Sequence, residues 1–212
     1  MPELRLSAGL VQWQAQVARG RCYLFAAPSG IAATSLRQRL LDGQTTADSS
    51  LRWLPPLANG SALLAPGITL LSNLQVWENI LLPQAYHGHG LPQEAERNLR
   101  RWLSLLRPGE EPSSWLHRPV ARLGDTERRA ALLMRALMGP GLIILLTADW
   151  LAPLSAEQQR VWVQLLVAES QTQHRSLLYL EDTLPVMAEA GAFTALQWTR
   201  TQAEGMGNVA AA

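Results

Sequence analysis

The stretch Ala27–Ser35, "APSGIAATS", has the rhythm of a phosphate-binding loop, G-x-x-x-x-G-K-[ST]. In such a loop successive backbone N–H groups cradle phosphate, a lysine ammonium reaches the β and γ oxygens, and a hydroxyl holds a magnesium ion. Gly30, Thr34 and Ser35 survive here as the candidate nucleotide-binding residues. Ala27 and Ala32 stand at the two glycine positions and Ala33 at the lysine position. The chain contains no lysine at all, since its 18 basic residues are all arginine, so no other residue can supply that ammonium. A charged hydrogen bond of this kind contributes about 1.5–3 kcal/mol. The methyl groups of Ala27 and Ala32 also close backbone conformations open to glycine.

Other chemistry is sparsely represented. Cys22 is the only cysteine, so neither a disulfide framework nor a cysteine metal cluster is expected. His87, His89, His117 and His174 have no ligand-like spacing, and the Gly-rich turn holding His87 and His89 reads as a solvated loop. No metal site is expected. There is no G-x-S-x-G motif. An unrelated enzyme on an α/β scaffold is therefore the least supported reading.

The elements that must position these residues follow from hydrophobic periodicity. "RCYLFAA" at 21–27 is a short apolar run suited to a buried strand, "PSG" breaks it, and "TSLRQRLL" from Thr34 suits a helix. "DGQTTADSS" reads as a polar loop, "SALLAPGITLL" as a run ending in a Pro-Gly break, and "LSNLQVWENILLP" as a turn leading into a helix. Leu99, Trp102, Leu103 and Leu106 give 95–106 one apolar face. "RPGEEPSS" reads as a loop, and 126–138 as a helix with Asp125 or Thr126 as N-cap and Gly139 as terminator. "LIILL" at 142–146 and "SLLYL" at 176–180 read as strands covered on both faces. Between them Ser155 and Gln158 have capping-box spacing, and Val161, Leu165 and Leu166 supply a buried helix face. A short helix is expected from Thr183 to Gly191. Strands alternating with helices at both ends of the chain predict an α/β domain with a mostly helical insertion.

In this order the pieces resemble the nucleotide-binding subunit of ABC transporters. The resemblance rests on "APSGIAATS", "LLSNLQVWENILLP", "LGDTERRAALLMRAL", "GPGLIILL" and "LLYLED", which cover most of the chain. It implies a P-loop NTPase-like ABC ATPase fold, with 1–75 and 139–212 as an α/β core and 76–138 as a helical subdomain carrying the signature-like helix. It also implies where catalysis should reside, and there this sequence departs from the family. The Q-loop glutamine position is Pro66, Gln75 being out of place. The acidic pair after the strand falls on Leu146 and Thr147, or on Thr147 and Ala148 with a one-residue shift, and Asp149 comes too late. The D-loop aspartate position is Pro153 or Leu154, and the switch histidine is Glu181. The signature L-S-G-G-Q reads Leu123-Gly124-Asp125-Thr126-Glu127, so Asp125 would set a carboxylate against a γ-phosphate.

The implied function is a pseudo-ATPase: a structural or regulatory subunit of a membrane transporter, peripheral to the cytoplasmic membrane and without bound cofactor. The wording of "LLSNLQVWENILLP" leans toward lipid or lipoprotein transport. Partners implied are an integral-membrane permease, an active ABC ATPase subunit, or a second copy. Leu70, Leu71, Leu74, Trp77 and Ile80 are the candidate permease contacts. The alternative is a weakly active or nucleotide-sensing subunit that binds ATP with magnesium through Gly30, Thr34 and Ser35. A net charge of +1 gives no global attraction to nucleic acid, while 48% hydrophobic against 17% charged residues leaves apolar surface for a partner to cover. Some of the eight tryptophans are expected at an interface, though each singly is more often core. No signal peptide is read at 1–19, and no run reaches the roughly 18 apolar residues of a membrane span.

Overall fold

The computed structural model describes residues 3–8, 11–28, 32, 40, 49–54, 61–87, 94–181 and 191–202. The helix expected at 34–41, apart from helical Leu40, and the one expected from Thr183 lie outside the described residues.

Two sheets organise these residues. The parallel one has the order β5 (Ser61–Leu64), β6 (Ile143–Leu146), β7 (Ser176–Tyr179), β3 (Cys22–Leu24), β8 (Phe193–Ala195). Every residue of β6 and β7 is buried, as continuous apolar runs require of strands covered on both faces. Alternation along the strand divides them between two cores. Ile144, Leu146, Leu177 and Tyr179 join the helices in the larger core. Ile143, Leu145 and Leu178 face a smaller core with Leu4, Leu6, Ala15 and Val17.

Those last residues belong mostly to the antiparallel sheet β4 (Ser49–Leu54), β1 (Glu3–Ala8), β2 (Val11–Gln16), β9 (Thr199–Gln202). Leu4 and Leu6 are buried while Arg5 is exposed, the period of two expected of a half-covered strand. Leu6 pairs with Trp13 on one side and Leu51 on the other. The polar loop expected at "DGQTTADSS" gives way at Ser49, where β4 begins.

The helices are α1 (Val76–Tyr86), α2 (Ala95–Leu106), α3 (Pro112–Leu116), α4 (Asp125–Met138), α5 (Ala148–Leu151) and α6 (Ala156–Thr172). Among the described residues none is long and apolar enough to cross a membrane. α2 buries Leu99, Trp102, Leu103 and Leu106, as their spacing predicts. The Ser155–Gln158 box forms at the start of α6: Gln158 N–H donates to Ser155 Oγ at 3.3 Å, and Ser155 N–H to Gln158 Oε1 at 3.0 Å. α4 is capped by Gly124 rather than Asp125 or Thr126, and the Glu127 carboxylate accepts the Gly124 N–H at 2.8 Å. α3 occupies part of the expected "RPGEEPSS" loop, because Glu111 accepts the N–H groups of Ser113 and Ser114 and Pro112 suits the first turn.

The turn before α1 is held by Asn79, which is fully buried. Its Oδ1 accepts Leu71 N–H at 2.7 Å, and its Nδ2 donates to Leu71 O at 3.0 Å and Gln75 O at 3.1 Å. This gives the Asn79 of "LQVWENILLP" a structural purpose: its buried amide satisfies backbone groups of the exposed turn before the helix. Gly67, with φ of 85°, makes the Pro-Gly break that only glycine adopts easily.

Helix α2 is tied to α6 by Glu169, 3% exposed, which accepts from Arg101 Nη2 at 2.6 Å. Removing one partner of a buried pair strands the other charge, at about 3–5 kcal/mol when both are buried. With Arg101 51% exposed, Arg101→Ala is expected to cost less, about 2–3 kcal/mol. Glu169→Leu, which removes the buried charge, should lie within about 1 kcal/mol of wild type in urea denaturation. Equal losses in both variants would mean that the pair contributes by packing alone.

Candidate functional site

In the parallel sheet Leu64, Leu146, Tyr179 and Leu24 stand in one register line. Backbone bonds continue past it: Thr147 N–H to Leu64 O at 3.1 Å, Leu180 N–H to Leu146 O at 2.8 Å, and Phe25 N–H to Tyr179 O at 2.9 Å. The loops carrying Pro66, Thr147, Glu181 and Ala27 therefore leave one edge together. That edge is the carboxyl end of a parallel sheet, where open α/β folds bind ligands.

The side chains there are poorly suited to phosphate and metal chemistry. Leu146 is fully buried in the larger core. Thr147 is buried and turns its Oγ1 back onto Leu64 O at 3.4 Å. Pro66 is exposed and has no side-chain donor or acceptor. Glu181 is half-buried. Asp149 is exposed in the first turn of α5, whose N-cap is Thr147, a place where an acid favours the helix dipole. Pro153 is exposed and Leu154 buried. Cys22, in β3, is buried, and burial pushes its thiol up to about 11, so it is no nucleophile at neutral pH.

Of the loop "APSGIAATS", Ala27 is half-buried, Pro28 buried and Ala32 exposed. Gly30, Ala33, Thr34 and Ser35 lie outside the described residues. The root of the loop is pinned: Trp198 Nε1 donates to Ala26 O at 2.7 Å, and the indole meets Phe25 edge-on at 6.0 Å. Sequence reasoning missed Trp198, which lies 172 residues from Ala26 and carries no motif.

The signature-like segment is locked into its own chain. Arg118 Nη1 meets Glu127 at 3.0 Å and its Nη2 meets Glu110 at 2.7 Å. Arg107 Nη2 lies 3.2 Å from Glu110 and 3.9 Å from Glu127, closing a ring of two arginines and two glutamates. The Arg107 hydrogen bond, helped by Arg118, holds the Glu110 carboxyl below the usual carboxylate range. Asp125, with its side chain 91% exposed, meets Arg128 at 3.6 Å.

The expected permease contacts divide. Leu71 and Trp77 are exposed, at 46% and 37%, and Leu70 and Leu74 are half-buried. Ile80, fully buried in the larger core, offers no surface to a partner. An apolar segment read without its fold does not show which side turns inward. Trp102, Trp115, Trp150 and Trp162 are all buried, so Trp77 is the tryptophan of that region open to solvent.

No family profile matches the chain, and no curated protein matches it in sequence. Solved structures do match. A protein described as an ABC transporter ATP-binding protein from Pyrococcus furiosus aligns at TM-score 0.63 and 12% identity, over 92% of this chain and 97% of that one. The ATP-binding subunit of an ABC transporter aligns at TM-score 0.61 and 15% identity, over 84% and 79%. A metal-chelate type ABC transporter in an inward-facing conformation aligns at TM-score 0.59 and 14% identity, over 95% of this chain and 84% of that chain. The fold is thus the P-loop NTPase-like fold of ABC ATPases, as the sequence resemblance implies.

Proposed function

We propose that this chain is a catalytically degenerate ABC-type nucleotide-binding subunit, a structural or regulatory partner of a transporter at the cytoplasmic membrane. The observation that carries this reading is the composition of the sheet's carboxyl edge. Positions that in an ATPase supply a glutamine, an aspartate, a glutamate and a histidine hold Pro66, Leu146, Thr147 and Glu181, with Leu146 packed in the core. Phosphoryl transfer depends on positioned metal ions and a polarised nucleophile, and these side chains supply neither. The signature-like segment adds to it, since Glu127 is committed to Arg118 and Gly124 and not to a partner's nucleotide.

The partner in this reading is an integral-membrane permease, an intact ATPase subunit, or both, met through the exposed Leu71 and Trp77. The wording of "LLSNLQVWENILLP" favours lipid or lipoprotein cargo. Co-expression with genes adjacent to its own, followed by purification from membranes, should recover the chain with a permease. A chain that stays soluble and alone overturns the proposal. Calorimetry with millimolar Mg-ATP should give no heat, and clear binding would favour the nucleotide-sensing alternative through Gly30, Thr34 and Ser35.

A further inference from the structure

Ser61, Ala62 and Leu63 of β5 all line one cavity of about 250 Å³, which they share with residues of α1 and the last turns of α4. Successive side chains of a strand point to opposite faces, so a cavity that touches three in a row runs along the strand's edge. β5 is the outermost strand of the parallel sheet, with β6 as its one neighbour among the described residues. Leu64 O accepts Thr147 N–H at 3.1 Å on the β6 side. Backbone groups alternate in direction along a strand, so Leu63 turns its N–H and C=O to the open edge that borders the cavity. Gly139, Pro140 and Gly141, which lead into β6, form the wall at the amino end of the sheet.

Most of the lining is apolar, with Ala62, Ile68, Pro83, Leu132 and Ala136. Arg135 brings one positive charge into it. Its Nη1 donates to Thr69 O at 3.0 Å, and among the described residues the guanidinium has no other partner and no ion pair. Burial pulls it below its ordinary value, with no carboxylate to hold it up. No carboxylate is among the described residues lining the cavity. A partly desolvated cation with a backbone N–H on the edge beside it, and hydrocarbon on most other sides, matches a ligand with one negative charge and an apolar body. A phosphate dianion would be left short of positive charge and would leave the apolar walls unmatched. The volume lies just under the roughly 300–1,000 Å³ of pockets for drug-sized ligands, so the ligand is small.

We propose that this cavity binds a small hydrophobic monocarboxylate, its carboxylate on Arg135 and the Leu63 N–H, its apolar body against Ile68, Pro83 and Leu132. The site is distinct from the carboxyl edge of the sheet, where Pro66, Thr147 and Glu181 stand. It is also independent of whether the chain partners a transporter.

Phenylbutyrate and its neutral amide, phenylbutyramide, test it on the full chain by proton–nitrogen correlation NMR. The acid should bind with a Kd of about 1 mM, the range open to a ligand of this size, and shift the amides of Leu63, Arg135 and Gly141 most. The neutral amide should bind about tenfold more weakly, because the guanidinium then loses its charged acceptor. Arg135→Gln should bring the two ligands within about twofold of each other. Arg128→Gln, which removes a charge outside this cavity, should leave the acid's preference unchanged. Circular dichroism checks that both variants fold, and the wild-type comparison of acid with amide decides even if Arg135→Gln does not. No binding at about 10 mM acid, equal binding of acid and amide, or shifts centred elsewhere overturns the proposal. So does displacement of the acid by an equal concentration of inorganic phosphate, or a preference kept intact by folded Arg135→Gln.

Discussion

Leu146→Asp, which would place a carboxylate at the end of β6 where the family resemblance expects one, is expected to destabilise the protein by about 3–5 kcal/mol at pH 7. Leu146 is fully buried and its side chain belongs to the larger core, beside Ile144, Leu177 and Tyr179. A carboxylate there exchanges water for hydrocarbon, and Thr147 has already spent its hydroxyl on Leu64 O. Burial raises the folded-state pKa of such an aspartate above its unfolded value. The ionisation penalty is therefore absent below about pH 4 and grows as pH rises through that value toward the raised one. Urea denaturation at pH 3.5 and pH 7 separates this penalty from the loss of packing, which is present at both. Wild-type stability at pH 7, or stabilisation of the variant by millimolar magnesium, would mean that a hydrated acid site persists at this edge. The packing of Leu146 would then not be what keeps an acid from that edge.

Trp150→Ala should be comparably costly, at about 3–5 kcal/mol. The indole is 1% exposed, lies 5.9 Å from Trp162 between ring centres, and stands beneath the Arg129 guanidinium. In a chain of this size the loss corresponds to roughly 6–20 °C in Tm. Trp150→Phe is expected to cost far less, about 1–1.5 kcal/mol. Phenylalanine keeps an aromatic face for both neighbours and removes the indole N–H, which is buried without a partner. Thermal melts of the two variants decide the point. A phenylalanine variant as unstable as the alanine one would show that the full indole volume, rather than an aromatic face, is what the site requires.

Much of the parallel sheet is legible in the sequence because its strands are short apolar runs, "RCYLF", "LIILL" and "SLLYL", the first two entered from a glycine-containing segment. Helix α2 is legible for a similar reason, its apolar residues following a helical period. The antiparallel sheet is not read from 1–19. Leu4-Arg5-Leu6 and Val11-Gln12-Trp13-Gln14-Ala15-Gln16-Val17 do alternate with a period of two, but the runs are short and one partner strand is as distant as Thr199–Gln202. The convergence of Pro66, Thr147, Glu181 and Ala27 at one edge follows from the order of motifs. What individual side chains do there depends on three-dimensional neighbours. The fixing of Ala26 by Trp198 and the ring joining Glu127 to Arg118, Arg107 and Glu110 are closed by residues from separate segments, and no local pattern announces them.

The placement of β3 bears on how the protein is made. Cys22–Leu24 lies between β7 and β8, and Thr194 Oγ1 reaches Cys22 O across 172 residues of chain. On a ribosome adding about 5–20 residues per second, β3 waits roughly 10–35 s for its second neighbour. Until β7 is made the strand has two unpaired edges, and from then until β8 it has one, the condition under which nascent chains aggregate or engage chaperones. A truncation before Phe193 leaves one edge of β3 open for good, so yield in the cell should fall when β8 is missing.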